Sequence, residues 1–99
     1  METKFEDRVL TVYLTGEIDH HTARPIREAA DRALAQKRPD ELVLDFSGVT
    51  FMDSSGVGLV MGRCKAARTL GCRTAVCGLR ARDRRIMELS GLAALVEFR

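Results

Sequence analysis

Apolar residues along this chain follow two alternating rhythms, and the switches between them divide it into elements. From Val9 to Leu14 the period is two: Leu10, Val12 and Leu14 lie on one side, and Val9, Thr11 and Tyr13 on the other, as in a strand within a sheet. Phe5 is expected to begin a short preceding strand. Ile26, Ala29, Ala30, Ala33 and Leu34 then recur at helical spacing, with Thr22 as the expected N-cap and Pro39 forbidding continuation. Leu42, Val43, Leu44 and Phe46 form a nearly continuous apolar run, expected of a central strand covered on both faces or crowded by its neighbours. Val57, Val60, Met61, Cys64 and Ala67 share one face of a second helix, which Gly71 stops. Thr74 to Cys77 reads as a strand. Arg82 to Ser90 reads as a third helix burying Ile86 and Leu89 or Met87 and ending at Gly91, and Ala94 to Phe98 as the last strand.

Strands that alternate with helices need crossover connections, which are almost always right-handed. The pattern therefore predicts an α/β fold: a mixed, mainly parallel sheet of four or five strands with helices packed on it. Nothing in the sequence repeats, and no low-complexity linker interrupts it.

The 99 residues suffice for one domain, 1–99, with a single modest core. Lys plus Arg total 16 against 14 for Asp plus Glu, so the net charge of +2 is too small to argue for nucleic acid, a membrane surface or a polyanionic substrate. Arg80, Arg82, Arg84 and Arg85 do concentrate positive charge. With Asp83 and Glu88 interspersed, one Tyr and no Trp, they read as a solvated or protein-docking face and not as a nucleic-acid site. Cys64, Cys72 and Cys77 are odd in number and lack CxxC spacing, which suits reduced thiols in or near a core. The N-terminus has no apolar signal region, and no apolar stretch approaches the roughly 18 residues of a membrane span, so a soluble cytoplasmic protein is expected.

The candidate chemistry lies in Asp53-Ser54-Ser55-Gly56-Val57-Gly58, where the central strand gives way to the second helix. A helix start has unpaired N–H groups and the positive end of the macrodipole, so it accepts a serine hydroxyl as a cap or holds a phosphoryl group. A structural reading has Ser54 or Ser55 capping the helix while Gly56 and Gly58 permit close packing. A nucleophile elbow, G-x-S-x-G, is absent: Met52 precedes Ser54 by two, and Val57 follows Ser55 by two. A nucleotide loop would need G-x-x-x-x-G-K-[ST], which is also absent. His20 and His21 should diverge in an extended segment and have no partners for a zinc set, so neither metal nor cofactor is expected. Asp19 is of more interest, because parallel pairing of the first two long strands would bring its carboxylate near Ser54.

Three segments together resemble the STAS domain of bacterial anti-sigma factor antagonists, most closely those of stage II sporulation. They are Leu14 to Ala23 (LTGEIDHHTA), Asp45 to Gly58 (DFSGVTFMDSSGVG) and Ser90 to Leu92 (SGL), with order and spacing intact. The resemblance implies a non-enzymatic partner switch. The unmodified antagonist binds an anti-sigma factor that is also a serine kinase and frees its sigma factor, so that transcription proceeds. The kinase reverses this by phosphorylating the antagonist, and a metal-dependent serine/threonine protein phosphatase restores it. By position the phospho-acceptor falls on Ser54, the flanking motif on Asp53, Ser55 and Gly56, and an acidic residue of the partner-binding surface on Asp19. An alternative within the same resemblance is a STAS signalling module that senses a small molecule or nucleotide at the helix-start loop, or that scaffolds a larger complex. Two departures from the family pattern stand out. Members commonly continue into a further C-terminal helix, whereas this sequence ends at Arg99; either that helix is absent or the sequence is a trimmed piece of a longer one, and a less covered sheet is expected in these residues. The third helix begins near Arg80, which cannot cap it, so its first turn is expected to fray or to find another cap.

Overall fold

The computed structural model describes residues 1–99. Strands β1 (Glu2–Glu6) and β2 (Val9–Ile18) form an antiparallel hairpin. Its turn is Asp7-Arg8, both at positive φ (52° and 65°), as in the primed two-residue turns whose twist matches that of the strands they join. There follow α1 (His20–Lys37), β3 (Glu41–Met52), α2 (Ser55–Thr69), β4 (Arg73–Cys77), α3 (Ala81–Leu89), a 3₁₀ turn (Leu92–Ala94) and β5 (Glu97–Phe98). Sheet order is β1-β2-β3-β4-β5, with β2 to β5 parallel.

Because every parallel crossover steps the same way across the sheet, right-handed connections place the three helices on one face. Leu10, Val12, Leu42, Leu44 and Val76 meet Leu34, Val60 and Met87 there in one core cluster. The other face carries Thr11, Val43 and Ala75 side by side in register. Val43 is buried there without a covering helix, so the apolar run of β3 reflects crowding by its neighbour strands and not two covered faces.

The structure corrects several boundaries. β2 and β3 run past Leu14 and Phe46 to Ile18 and Met52, with register shifts between Tyr13 and Thr15 and between Gly16 and Glu17. Exposed Thr15, Glu17, Ser47 and Thr50 break the apolar pattern there, but the backbone ladder continues beneath them. At the C-terminal end, where Ala94 to Phe98 was expected as a strand, Ala94 ends a 3₁₀ turn (Leu92–Ala94) and β5 is only Glu97–Phe98, two residues long. In α3, Met87 is fully buried and Leu89 is 77% exposed, so Met87 is the core residue. Arg80 supplies no cap to that helix; its Nη1 instead donates to the Thr50 carbonyl at 2.9 Å.

Candidate functional site

The extra length of β2 and β3 builds the site. Ile18 pairs with Met52, and the Asp53 N–H donates to the Ile18 carbonyl at 3.1 Å, so the segments after Ile18 and Met52 leave the sheet side by side. The first segment starts α1 at Asp19, the second starts α2 at Ser54.

Asp19 is the N-cap of α1. Its Oδ1 accepts from the N–H groups of His21 and Thr22, both at 2.9 Å, and Thr22 Oγ1 accepts from the Asp19 N–H at 2.9 Å. This is a reciprocal capping box. Thr22, expected as the cap, is the third helical residue, because an Asp three residues upstream competes better for the free N–H groups. The Thr22 N–H above all, then that of His21, holds the Asp19 carboxyl below the usual range. His20 and His21 do not diverge: the first turn of α1 brings their ring centroids to 4.0 Å.

At the start of α2 the division of labour differs from either serine-cap expectation. Asp53 Oδ1 accepts from the Ser55 N–H at 2.8 Å, and the Asp53 carbonyl accepts from the Gly56 N–H at 3.0 Å. Ser54 already has helical dihedrals (φ −61°, ψ −16°), and its side chain makes no capping bond. Asp53 therefore does the capping, and the Ser54 hydroxyl is exposed and uncommitted. Ser55 is half-buried. Gly56 is buried against β3, where a Cβ would sit 2.3 Å from Met52 Cγ and Sδ, so a side chain is excluded. Gly58 does not share that role; a Cβ there would meet nothing within 4 Å.

Asp19, Asp53, Ser54, Ser55 and Gly56 thus gather at one end of the sheet, on two helix starts. Arg63, by contrast, was not singled out by sequence and is only 5% exposed. The signal was present: Arg63 lies four residues after Leu59 and four before Ala67, both inward-facing.

The STAS domain family model matches residues 1–99. The anti-sigma F factor antagonist of Paenibacillus polymyxa is 37% identical over 92 residues, covering 93% of this chain and 79% of the relative. Among solved structures, the anti-sigma factor antagonist SpoIIAA in its unphosphorylated form superposes with a TM-score of 0.77 at 27% identity, over 99% of this chain and 86% of that one. SpoIIAA from Bacillus in the phosphorylated form gives 0.76 at 30% identity, over 99% and 89%. Family model, relative and fold agree: this chain belongs to the STAS domain family, among the anti-sigma factor antagonists.

Proposed function

We propose that this protein is a non-enzymatic, cytoplasmic partner switch: unphosphorylated, it binds an anti-sigma factor serine kinase and releases the sigma factor held there, and phosphorylation of Ser54 ends that binding. A serine/threonine protein phosphatase resets it. The observation that carries the reading is the exposed Ser54 hydroxyl, left uncommitted because Asp53 caps α2 in its place. A relative of the same fold, SpoIIAA, has been solved in both an unphosphorylated and a phosphorylated form.

The electrostatics favour a switch read by the partner. A phosphoserine carries about −1.5 to −2 charges at pH 7. The start of α2 tolerates an anion, but the same surface already holds Asp53 and, across the strand ends, Asp19. A docked partner must desolvate this charge and meet like charge beside it, which lowers affinity by roughly a hundredfold or more.

The test uses the kinase, ATP and two variants. Ser54→Ala should bind the kinase with and without ATP, whereas Ser54→Asp should bind at least about tenfold more weakly. Site mapping by mass spectrometry should place the phosphate on Ser54. Equal affinities for the two variants, or phosphate on Ser55, would refute the assignment.

A further inference from the structure

Three of the four phenylalanine rings in this chain are covered. Phe46 is buried in the core cluster. Phe5 is 38% exposed, but Arg8 and Lys37 place their cationic groups 5.8 and 5.7 Å from its ring centroid, and Arg84 lies 5.5 Å from that of Phe98, distances at which a cation is attracted to a ring face. Phe51 is the exception: it is 44% exposed, and neither a cation nor a second ring covers it.

Phe51 is the penultimate residue of β3. It pairs with Glu17, and the next pair along, Ile18 and Met52, is buried in the core, so alternation turns Phe51 towards the helix-free face of the sheet. The backbone is fixed on both sides of it. Arg80 Nη1 donates to the Thr50 carbonyl at 2.9 Å just before it, and the Asp53 N–H donates to the Ile18 carbonyl at 3.1 Å just after it. An exposed ring on an immobilised strand end gives up little conformational freedom when a partner covers it, as interface anchors do.

Phe51 precedes Ser54 by three residues, so their Cα atoms are at most about 11 Å apart. A standard protein interface covers about 800 Å² on each partner, a patch roughly 16 Å in radius. An enzyme that brings ATP to the Ser54 hydroxyl therefore spreads over Phe51 as well. Leu89, at 77% exposure, lacks that proximity, because α3 runs back from the end of β4 and carries its last residue away from the Ser54 end of the sheet.

From an uncovered ring held on a fixed strand end three residues before the acceptor, we infer that Phe51 is the apolar anchor by which this protein docks on its serine kinase, filling a hydrophobic pocket beside the kinase's ATP cleft. The inference rests on the reading of Ser54 as the phospho-acceptor. Within that reading the two residues have separate tasks: Phe51 supplies affinity, and Ser54 bears the modification that ends it. Phe51 contacts neither ATP nor the reacting hydroxyl, so its loss weakens binding before and during the transfer step equally, which raises KM for the antagonist and leaves kcat unchanged.

The experiment is ¹⁹F NMR of the whole chain labelled with 4-fluorophenylalanine, its resonances assigned by single substitution, and titrated with the same purified kinase as in the Ser54 test. The Phe51 resonance should shift saturably while that of buried Phe46 keeps its position. Phe51→Ala should bind the kinase about thirtyfold more weakly and raise KM by a similar factor at unchanged kcat, with the urea midpoint of the parent, and Phe51→Leu should recover most of the affinity. The titration uses the unsubstituted chain, so it decides the matter even where Phe51→Ala does not fold. If the parent binds the kinase but its Phe51 resonance stays in place, or Phe51→Ala binds and is phosphorylated as the parent is, the inference is overturned and the Ser54 reading stands. If the parent neither binds the kinase nor is phosphorylated at Ser54, that reading falls and takes the inference with it. A Phe51 resonance that moves with protein concentration alone, and not with kinase, marks a contact between copies of this chain and likewise overturns the inference.

Discussion

Single residues at the start of α2 have separate duties: Asp53 caps, Ser54 is free, and Gly56 gives way to Met52. Gly56→Ala forces a methyl group into the Met52 side chain and should destabilise the fold by about 1–3 kcal/mol. Gly58→Ala, two residues on in open space, should leave stability unchanged or raise it by up to about 1 kcal/mol. Urea denaturation of the two variants checks the pair, and equal losses would contradict the assignment. The identities of these residues were legible in the sequence, but their roles were not. Small residues at a helix start look alike in one dimension, and only the approach of Met52 distinguishes Gly56 from Gly58. Arg63 escaped notice for a similar reason: arginine is ordinarily a surface residue, and its burial depends on a neighbouring helix.

At the scale of elements, the apolar rhythm located the parallel strands and all three helices, while their ends departed from it. β2 and β3 continue through exposed polar residues because ladder hydrogen bonds do not depend on side-chain character. The β1–β2 hairpin was only faintly marked, since its turn uses Asp7-Arg8 where a Gly usually announces a primed turn. The start of α1 carries a pH dependence. Hydrogen bonds to the carboxylate lower the folded-state pKa of Asp19 from its ordinary value, so its stabilising effect is present above about pH 4 and is lost as pH falls through that lowered value. Asp19→Ala should therefore melt below the parent at neutral pH, with the gap narrowing under acid conditions. Thermal melts at a series of pH values measure this, and a gap that widened with acid would contradict the capping role. Asp19 also illustrates how a partner-surface candidate from sequence can be occupied in holding its own helix.

For the whole molecule, the one-directional strand order places all helices on one face, and the site lies at the end of the sheet where β2 and β3 finish. The core cluster of 19 residues gathers around the central strands, and the Ser54 hydroxyl is not part of it. Phosphorylation of Ser54 should consequently leave the fold intact: amide resonances should move around residues 53–58 and the start of α1, and the core should keep its native spectrum. Loss of dispersion across β3 and β4 in the phosphorylated protein would show that the modification unfolds the domain. Fold class and mainly parallel topology were readable in advance because they follow from element order and crossover handedness, while the strand count was narrowed only to four or five, of which the structure has five. The exposure of Phe51 was not readable, because an aromatic residue near the end of a strand looks like core, and only the helix-free face of the sheet leaves its ring open.

The hydrogen bond from Asp53 to the Ile18 carbonyl fastens the serine-bearing segment to the end of the neighbouring strand. So tethered, the segment has little room to swing when its charge changes. On the proposed reading, the message is not relayed through the interior: it is stamped on the outside, and whoever docks there must read it by touch.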